Sequence, residues 1–361
     1  MNGLERAKTA LAVKVPDRVP HFELAYNESS IIGIARHFTD DLPAIGYFQK
    51  MSIEDKIKLM EALILFIEEL DVDGVVVRLF SEVKFIDDLR YVDDWDVTYK
   101  LDPSGEALVV DGPIKTPGDL KGYKVPRPKE TDILSLSYCA QRFGGERAVI
   151  MSIRCPFRLS WNLLGGMDKL LIAFRRDPDL VNTLMRLSAD YIKEEIGLAI
   201  KMGADIISLD GDLAYDSGAF MAPELFERYI HPLYNEIVKL THDSGAMIFK
   251  HSDGNVWKLI DYWLESGFDG IHPFQPQCMD IAEAKERIGD RVCLMGNIDC
   301  IETLVTGTIE DVEEEVKQTI EIAAPNGGYI LASSNTIHPG VKPENYIAMV
   351  KALHKYGSYI D

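Results

Sequence analysis

The chain has 361 residues, of which 47% are hydrophobic and 27% are charged, so its size and composition fit one large globular domain or two average ones. Its formal net charge of −20 opposes binding to nucleic acid or to an anionic membrane, because like charges repel each other. The same charge disfavours a polyanionic substrate, and no run of lysine and arginine indicates a local basic pocket that would reverse this.

The cysteine pattern and the start of the chain favour a cytoplasmic protein. The cysteines are odd in number and widely spaced, which is typical of a reduced, intracellular chain; they are Cys139, Cys155, Cys278, Cys293 and Cys300. Residues 1–12 have a charged helical pattern without the apolar centre of a signal peptide. The apolar stretches are shorter than the roughly 18 residues that cross a bilayer.

Short apolar segments alternate with amphipathic segments along most of the chain. The apolar ones predict strands at 19–24, 72–77, 148–153, 205–209, 246–251, 270–274, 291–295 and 328–332. The amphipathic ones predict helices at 52–70, 177–201, 222–243, 255–266, 280–288, 308–323 and 342–356. Eight strands that alternate with helices predict one α/β domain over residues 1–361, a (β/α)8 TIM barrel.

Residues 82–125 interrupt this alternation. Alternating polar and apolar residues at 95–101 and 107–110 flank Asp102-Pro103-Ser104-Gly105, a sequence that is typical of a turn. We therefore predict a β-hairpin that is inserted after the second strand. Such an insertion can form a lid or one wall of the pocket.

Ionisable and polar side chains follow several of the predicted strands. Glu23 lies at the end of the first, Asp210 and Asp212 follow the fourth, His251 ends the fifth and Ser333 follows the eighth. In a parallel barrel the carboxyl ends of all strands open at one mouth, and enzymes of this fold carry out their chemistry there. We therefore expect these side chains to surround a common cavity.

Short motifs occur in a fixed order over nearly the whole chain. They are Cys155-Pro156-Phe157 with Gly165-Gly166, Asp210-Gly211-Asp212-Leu213 with Pro223-Glu224-Leu225-Phe226, His251-Ser252-Asp253-Gly254, Met295-Gly296-Asn297-Ile298-Asp299 and Pro343-Glu344-Asn345. Their order and spacing resemble the uroporphyrinogen decarboxylase superfamily, which also contains barrel methyltransferases that work with corrinoid proteins. The resemblance implies the barrel fold, but the function needs a separate argument because one barrel hosts many reactions.

The resemblance does not extend to the residues with which true decarboxylases bind a polycarboxylate porphyrinogen. Those enzymes carry an Arg-Gln-Ala-Gly-Arg-Tyr run after the first strand, whereas residues 21–28 here contain two glutamates and no arginine. Their aspartate after the second strand is also missing, because Val77 is followed by Arg-Leu-Phe-Ser-Glu at 78–82. An acidic mouth binds a polyanion poorly, so we expect a different reaction.

The methyltransferase branch of the family implies a metal site. Its thiol-activating members hold zinc with a His-x-Cys motif and a later cysteine; here His251 is present, but Asp253 and Ser333 occupy the cysteine positions. A site with harder ligands remains open, since zinc accepts nitrogen, oxygen and sulfur donors. We predict as ligands His251, Asp253 and Cys278, with Glu23, Asp210, Asp212 and His338 as further candidates.

The function that the resemblance implies is methyl transfer to a corrinoid. A small methoxy, methylamine or methylthio compound would bind in the mouth, and the reduced cobalt of a corrinoid would take its methyl group. The chain lacks the corrinoid-binding motif Asp-x-His-x-x-Gly, so the corrinoid is expected on a separate partner protein. The barrel would position the substrate and stabilise the leaving group. The resemblance also implies a homodimer.

Each residue of the predicted site has a structural interpretation beside the functional one. The predicted catalytic residues are His251, Asp210, Asp212 and Glu23, and the predicted substrate-binding residues are Arg78, Arg154, Phe157, Tyr215, His272, Gln275, Asn297, Ser333, Ser334 and His338. Alternatively, Asp253 caps the next helix, Cys278 is a small buried side chain and the arginines pair with nearby acids. The aromatic residues belong either to the core or to the pocket wall.

Two other classes of function remain open. A decarboxylase or other lyase for a small, less charged substrate would use the same barrel and release carbon dioxide without a corrinoid. A non-catalytic binding or docking barrel would not need ionisable side chains at so many strand ends. It would bind metal weakly and tolerate His251→Ala.

Overall fold

The computed structural model describes residues 1–78, 83–102 and 105–359. Three predictions from the sequence involve residues that lie outside these ranges. They are the predicted start of the insertion at residue 82, residues 103 and 104 of the predicted turn, and the segment 79–82 that lacks the decarboxylase aspartate.

The described residues form an α/β fold. The strands are β1 (Gly74–Arg78), β2 (Lys84–Phe85), β3 (Arg90–Val92), β4 (Thr98–Leu101), β5 (Ala107–Asp111), β6 (Ala148–Arg154), β7 (Ile206–Asp210), β8 (Ala214–Tyr215), β9 (Gly218–Ala219), β10 (Met247–His251), β11 (Gly270–His272), β12 (Cys293–Ile298) and β13 (Tyr329–Ser333). The α-helices are α1 (Gly3–Leu11), α2 (Glu28–Ala35), α3 (Ile53–Glu69), α4 (Leu134–Phe143), α5 (Pro156–Leu164), α6 (Met167–Arg176), α7 (Pro178–Lys201), α8 (Pro223–Tyr229), α9 (His231–Asp243), α10 (Ile260–Ser266), α11 (Ile281–Ile288), α12 (Thr303–Thr306), α13 (Ile309–Ala323) and α14 (Pro343–Tyr356). No helix of these ranges is long and apolar enough to cross a membrane.

Seven strands form the central sheet, in the order β1-β6-β7-β10-β11-β12-β13. All neighbouring pairs are parallel, and most strand residues are buried, as expected where helices cover a parallel sheet. This arrangement is consistent with a TIM-like barrel. Several strands end later than the sequence predicts, so Arg78, Arg154, Asp210 and Ser333 are final strand residues rather than loop residues.

The first predicted strand, at 19–24, is wrong as a regular strand. This segment makes a single parallel bridge, between His21 and Leu331. It nevertheless forms backbone hydrogen bonds at both edges of the sheet. Leu331 N of β13 donates to Pro20 O at 3.0 Å, and Asp73 N, just before β1, donates to His21 O at 2.9 Å. Pro20 has no N–H with which to continue a ladder, which explains why the segment is irregular.

The insertion is a four-stranded antiparallel sheet in the order β2-β3-β4-β5. The two segments of the predicted hairpin correspond to β4 and β5, which are antiparallel neighbours. The sheet therefore has two strands, β2 and β3, that the sequence analysis missed. Tyr99 of β4 reaches the mouth, where its hydroxyl accepts a hydrogen bond from Arg154 Nη1 at 3.1 Å.

Two predicted helices differ from those observed. The helix expected at 222–243 is divided into α8 and α9 next to Pro232, which lacks the N–H that a continuous helix would need. The helix expected at 255–266 begins only at Ile260. Residues 255–259 instead form part of the loop that follows His251.

A buried carboxylate attaches the irregular segment 18–24 to the start of β1. Asp73 has a side-chain exposure of 1% and accepts a hydrogen bond from His21 N at 2.9 Å. It also pairs with Arg6 and Arg18, each at 3.1 Å. Removing one partner of a buried ion pair leaves the other charges uncompensated, so Asp73 is important for closing the sheet.

We expect Asp73→Asn to lower the free energy of unfolding by about 3 kcal/mol, since it removes the buried carboxylate that Arg6 and Arg18 share and leaves each guanidinium group only its more exposed partner, Asp17 or Asp71. Asp71→Asn is the matched control, because Asp71 pairs with Arg18 and Arg147 but its side chain is 63% exposed. The control should cost about 1 kcal/mol or less. Urea unfolding of both variants measures the difference, and equal losses would contradict a special role for Asp73.

Candidate active site and metal centre

The register of the parallel sheet brings polar side chains of four strands into one row. Arg154 of β6 is paired with Asp210 of β7, Asp210 with His251 of β10, and His251 with His272 of β11. Paired residues of neighbouring parallel strands point to the same face of the sheet. The row therefore lies at the carboxyl end of the sheet, as the sequence predicts for the mouth.

Asp212, His251 and Asp253 form a compact cluster beside this row, which we call the metal cluster. One ligand atom of each lies within 4.8 Å of the others. His251 Nε2 lies 3.7 Å from Asp212 Oδ1 and 3.9 Å from Asp253 Oδ1. Asp253 N also donates to Asp212 Oδ1 at 3.1 Å, so the two acidic loops are directly bonded.

Glycine lets the loop after His251 approach its neighbour. Gly254 has a φ of +83°, and a Cβ at this position would lie 2.6 Å from the carbonyl oxygen of Ala214. Only glycine tolerates this combination of left-handed backbone and close approach. The sequence His251-Ser252-Asp253-Gly254 therefore folds so that Asp253 returns toward His251.

The electrostatics of the metal cluster favour a divalent cation. Burial, and next the Asp212 carboxylate, raise the pKa of Asp253 to about 7. Asp253 Oδ2 accepts a hydrogen bond from Asn335 at 2.7 Å, whereas its buried Oδ1 has no hydrogen-bond partner within the described ranges. This unpaired oxygen faces a second carboxylate and a histidine, a donor set that zinc and similar metals accept. The residues present therefore fit a metal ion.

His251 and His272 share a hydrogen bond between their Nδ1 atoms, which lie 2.9 Å apart. Burial lowers the pKa of both rings well below the usual value, so both are neutral and one Nδ1 donates to the other. When His251 carries this hydrogen, its Nε2 lone pair faces Asp212 and Asp253. When His272 carries it, His251 Nε2 is protonated and cannot bind a metal. A metal would therefore select the first state.

Lys250 is a buried residue that the sequence analysis did not assign to the site. Its amine donates to Gly211 O at 2.8 Å and to the carbonyl oxygen of His251, and it lies 5.5 Å from the ring centre of Trp263. It thus links the two loops that carry the metal cluster. The sequence signal was available, since a lysine within a buried strand is rare without a partner.

Asp210 lies between Arg154 and His251 in the row. Its carboxylate accepts hydrogen bonds from the hydroxyl groups of Ser152 and Ser208. Burial raises its pKa, which Arg78 partly opposes. Asp210 is thus held in place and can exchange a proton with a molecule in the mouth.

Glu23 and Ser333 form a separate bonded pair at the same end of the sheet. Ser333 N donates to Glu23 Oε1 at 3.0 Å, and Ser333 Oγ donates to Oε2 at 2.6 Å. Burial raises the pKa of Glu23 to about 8 despite these bonds. Glu23 therefore holds a proton at neutral pH, and its partner is Ser333 rather than the metal cluster.

The predicted substrate-binding residues divide into two groups. Arg78 and Arg154 lie exposed at their strand ends, and Tyr215 is 56% exposed. The others are fixed within the protein. Phe157 is fully buried in the core, Gln275 Oε1 accepts from Gly254 N, Asn297 donates to Phe274 O, and Ser334 and His338 contact Cys300.

Cys278 and the arginines are the remaining residues of the predicted site. Asp212, which the sequence offers as a further candidate ligand, is the third member of the metal cluster. Cys278 is not a member of this cluster, and its role as a ligand stays a prediction. The sequence contains no run of lysine and arginine, but Arg78 and Arg158 lie near enough to His251 to lower its pKa, after the larger effects of burial and Lys250. Arginines that are distant in sequence form no run.

A family comparison agrees with this geometry. The family model described as uroporphyrinogen decarboxylase (URO-D) matches residues 57–356. The chain belongs to the uroporphyrinogen decarboxylase family. This family member is 26% identical over 295 residues to a uroporphyrinogen decarboxylase of Alkalilimnicola ehrlichii, which covers 77% of the chain and 76% of the relative.

Methyltransferases are also among the relatives of this URO-D family member. It is 25% identical over 247 residues to the methylcobamide:CoM methyltransferase MtaA of Methanosarcina barkeri, covering 68% of each chain. The solved structure of a methyltransferase from Methanosarcina mazei aligns with a TM-score of 0.75 at 19% identity and covers 99% of both chains. At that identity the structural likeness establishes the fold alone.

We expect Glu23→Gln to remove a pH dependence of stability. A carboxyl whose pKa rises from 4.5 to about 8 on folding holds a proton that the unfolded chain releases, so stability falls as pH rises through this window. The loss reaches at most about 1.4 kcal/mol per pH unit. Urea unfolding at pH 5 and pH 8 should show a smaller decrease for Glu23→Gln than for wild type. Glu286→Gln, an exposed change on α11, should behave like wild type.

We expect His272→Phe to weaken zinc binding by about 10- to 100-fold, because His251 loses the acceptor that keeps its Nε2 free. His272→Gln is the matched variant, since its amide oxygen can accept the same hydrogen bond and should restore part of the affinity. Competition with a chromogenic chelator measures both. Equal affinity in wild type and His272→Phe would contradict the role of the histidine pair.

Proposed function

We propose that the chain is a methyltransferase that moves a methyl group from a small methylated substrate to a corrinoid carried by a separate protein. The observation that carries the proposal is the metal cluster at the carboxyl end of the parallel sheet, where barrel enzymes act. Sequence similarity to a methylcobamide:CoM methyltransferase supports methyl transfer as the reaction class. A methoxy, methylamine or methylthio group is the proposed methyl source.

Asp212, His251 and Asp253 would hold the metal, with zinc as the proposed ion. Bound there, the ion would supply Lewis-acid chemistry at the heteroatom that carries the methyl group. Two carboxylates and one imidazole are harder ligands than the thiolates of thiol-activating relatives, which suits an oxygen or nitrogen leaving atom. Lys250 and the histidine pair keep the three ligands in position.

The reaction balances as a direct transfer. The bond between the heteroatom and the methyl carbon breaks, and the methyl carbon bonds to the reduced cobalt of the acceptor, which provides the electron pair. The heteroatom keeps the pair of the broken bond and takes a proton. Asp210 is the proposed donor, because it lies in the mouth and burial raises its pKa.

The acceptor must come from outside the chain, which lacks a corrinoid-binding motif. We propose a small corrinoid protein as the partner and a cytoplasmic homodimer as the working form. The five cysteines are free, in agreement with a reducing compartment.

A second candidate function is decarboxylation of a small carboxylate. Two observations favour it. Arg78 and Arg154 lie exposed at the mouth, and decarboxylases are as similar in sequence as the methyltransferase. Release of labelled carbon dioxide without a corrinoid would distinguish this reaction from methyl transfer.

We expect the purified protein to contain about one metal ion per chain and to convert reduced corrinoid, supplied on a corrinoid protein, into its methylated form with at least one donor class. His251→Ala and Asp253→Asn should lose bound metal and at least 100-fold in rate, because each removes a ligand. Metal analysis and the visible spectrum of the corrinoid measure the two effects.

His37→Ala is the control for these variants, since His37 is a half-exposed histidine that lies 3.7 Å from Glu344 on the surface. It should keep both metal and rate. Failure of the wild-type protein to methylate reduced corrinoid with methoxy, methylamine and methylthio donors alike would rule out the proposed function.

A further inference from the structure

Three arginines lie on one side of the mouth, and we call them the arginine face. Arg78 ends β1, Arg154 ends β6, and Arg158 lies in the first turn of α5. Arg78 is paired with Ser152, and the Ser152 hydroxyl donates to Asp210. This register puts the strand-end arginines on the same inner face as the row that contains Asp210.

The positive charge of the arginine face has no acidic partner at salt-bridge distance in the part of the chain that the structure describes. Arg154 donates to the hydroxyl of Tyr99 at 3.1 Å, and the Arg158 guanidinium lies 4.4 Å from the ring centre of Trp161. Burial lowers the pKa of Arg158, and repulsion from Arg154 lowers it further. A bound anion would offset this repulsion between the two guanidinium groups.

The spacing of the strands gives the distance between the arginine face and the metal cluster. β7 lies between β6, which carries Arg154, and β10, which carries His251. Neighbouring strands are about 4.8 Å apart, so these two strands are about 10 Å apart. Asp212 partly opposes the lowering of the Arg158 pKa, so the arginine face and the metal cluster belong to the same mouth.

We propose that the arginine face binds an oxyanion group of the methyl donor while the metal cluster binds its methylated heteroatom. This inference rests on the proposed function and adds the class of substrate. The donor is a molecule that carries a carboxylate, sulfonate or phosphate several ångströms from its methylated atom. Guanidinium groups bind such oxyanions through paired, charge-assisted hydrogen bonds. Methanol and methylamine lack this second group.

The test measures binding without any methyl transfer. Benzoate, benzenesulfonate and phenyl phosphate are the probes, and benzamide is the uncharged match of benzoate. Each probe is titrated into the zinc-loaded wild-type protein by isothermal titration calorimetry. At least one of the anions should bind about tenfold or more tightly than benzamide. The three probes distinguish between carboxylate, sulfonate and phosphate recognition.

Arg158→Met and Arg78→Met should each weaken binding of the preferred anion by about tenfold or more, and Arg158→Lys should lose less because it keeps the charge. Arg228→Met is the control, since Arg228 is exposed on α8 and lies over the Tyr229 ring. The affinity for benzamide should stay unchanged in every variant. An unchanged affinity also shows that the site remains folded.

Two outcomes would overturn the inference. One is that no anion binds wild-type protein more tightly than benzamide. The other is that Arg228→Met weakens anion binding as much as Arg158→Met. Neither outcome depends on the corrinoid assay, so the anion site can fail while methyl transfer stands, and methyl transfer can fail while the anion site stands.

Discussion

The hydrogen-bond register between neighbouring parallel strands is the constraint on which the site depends. It places Arg154, Asp210 and His251 side by side at the ends of β6, β7 and β10. A shift of one residue in any strand would turn its polar end residue to the opposite face of the sheet. Backbone pairing therefore sets the positions of these three side chains, whereas Asp212 and Asp253 lie in loops and Arg158 lies in the first turn of α5.

Among the described residues, the arginines of the mouth form no salt bridge with its acidic side chains. Acidic groups gather around His251, Arg154 of the arginine face lies two strands away, and Asp210 lies between them. Within a barrel these charges are partly removed from water, so each set remains attractive to a ligand of opposite sign. A metal ion would neutralise one set and an oxyanion the other, and a molecule that interacts with both would be held at two points.

Much of the fold, and the types of residue at the strand ends, could be predicted from the sequence, because both depend on local patterns. Seven of the eight predicted strands exist, and the residues at their ends lie at one end of the sheet. The misses have physical causes. Pro20 breaks the first strand, and Pro232 divides a helix. Asp212 completes the metal cluster because the loop conformation, not the residue spacing, decides which of the candidate ligands turns inward.

The sequence alone determined the alternation of strands and helices, the family and the chemical types of residue at the strand ends, since periodicity and motif order are properties of neighbours along the chain. Only the tertiary structure decided which of those residues meet. The histidine pair, the bond between Glu23 and Ser333 and the arginine face join residues that are distant in sequence. Such contacts depend on how the strands pack against one another, and a local sequence pattern contains no information about that packing.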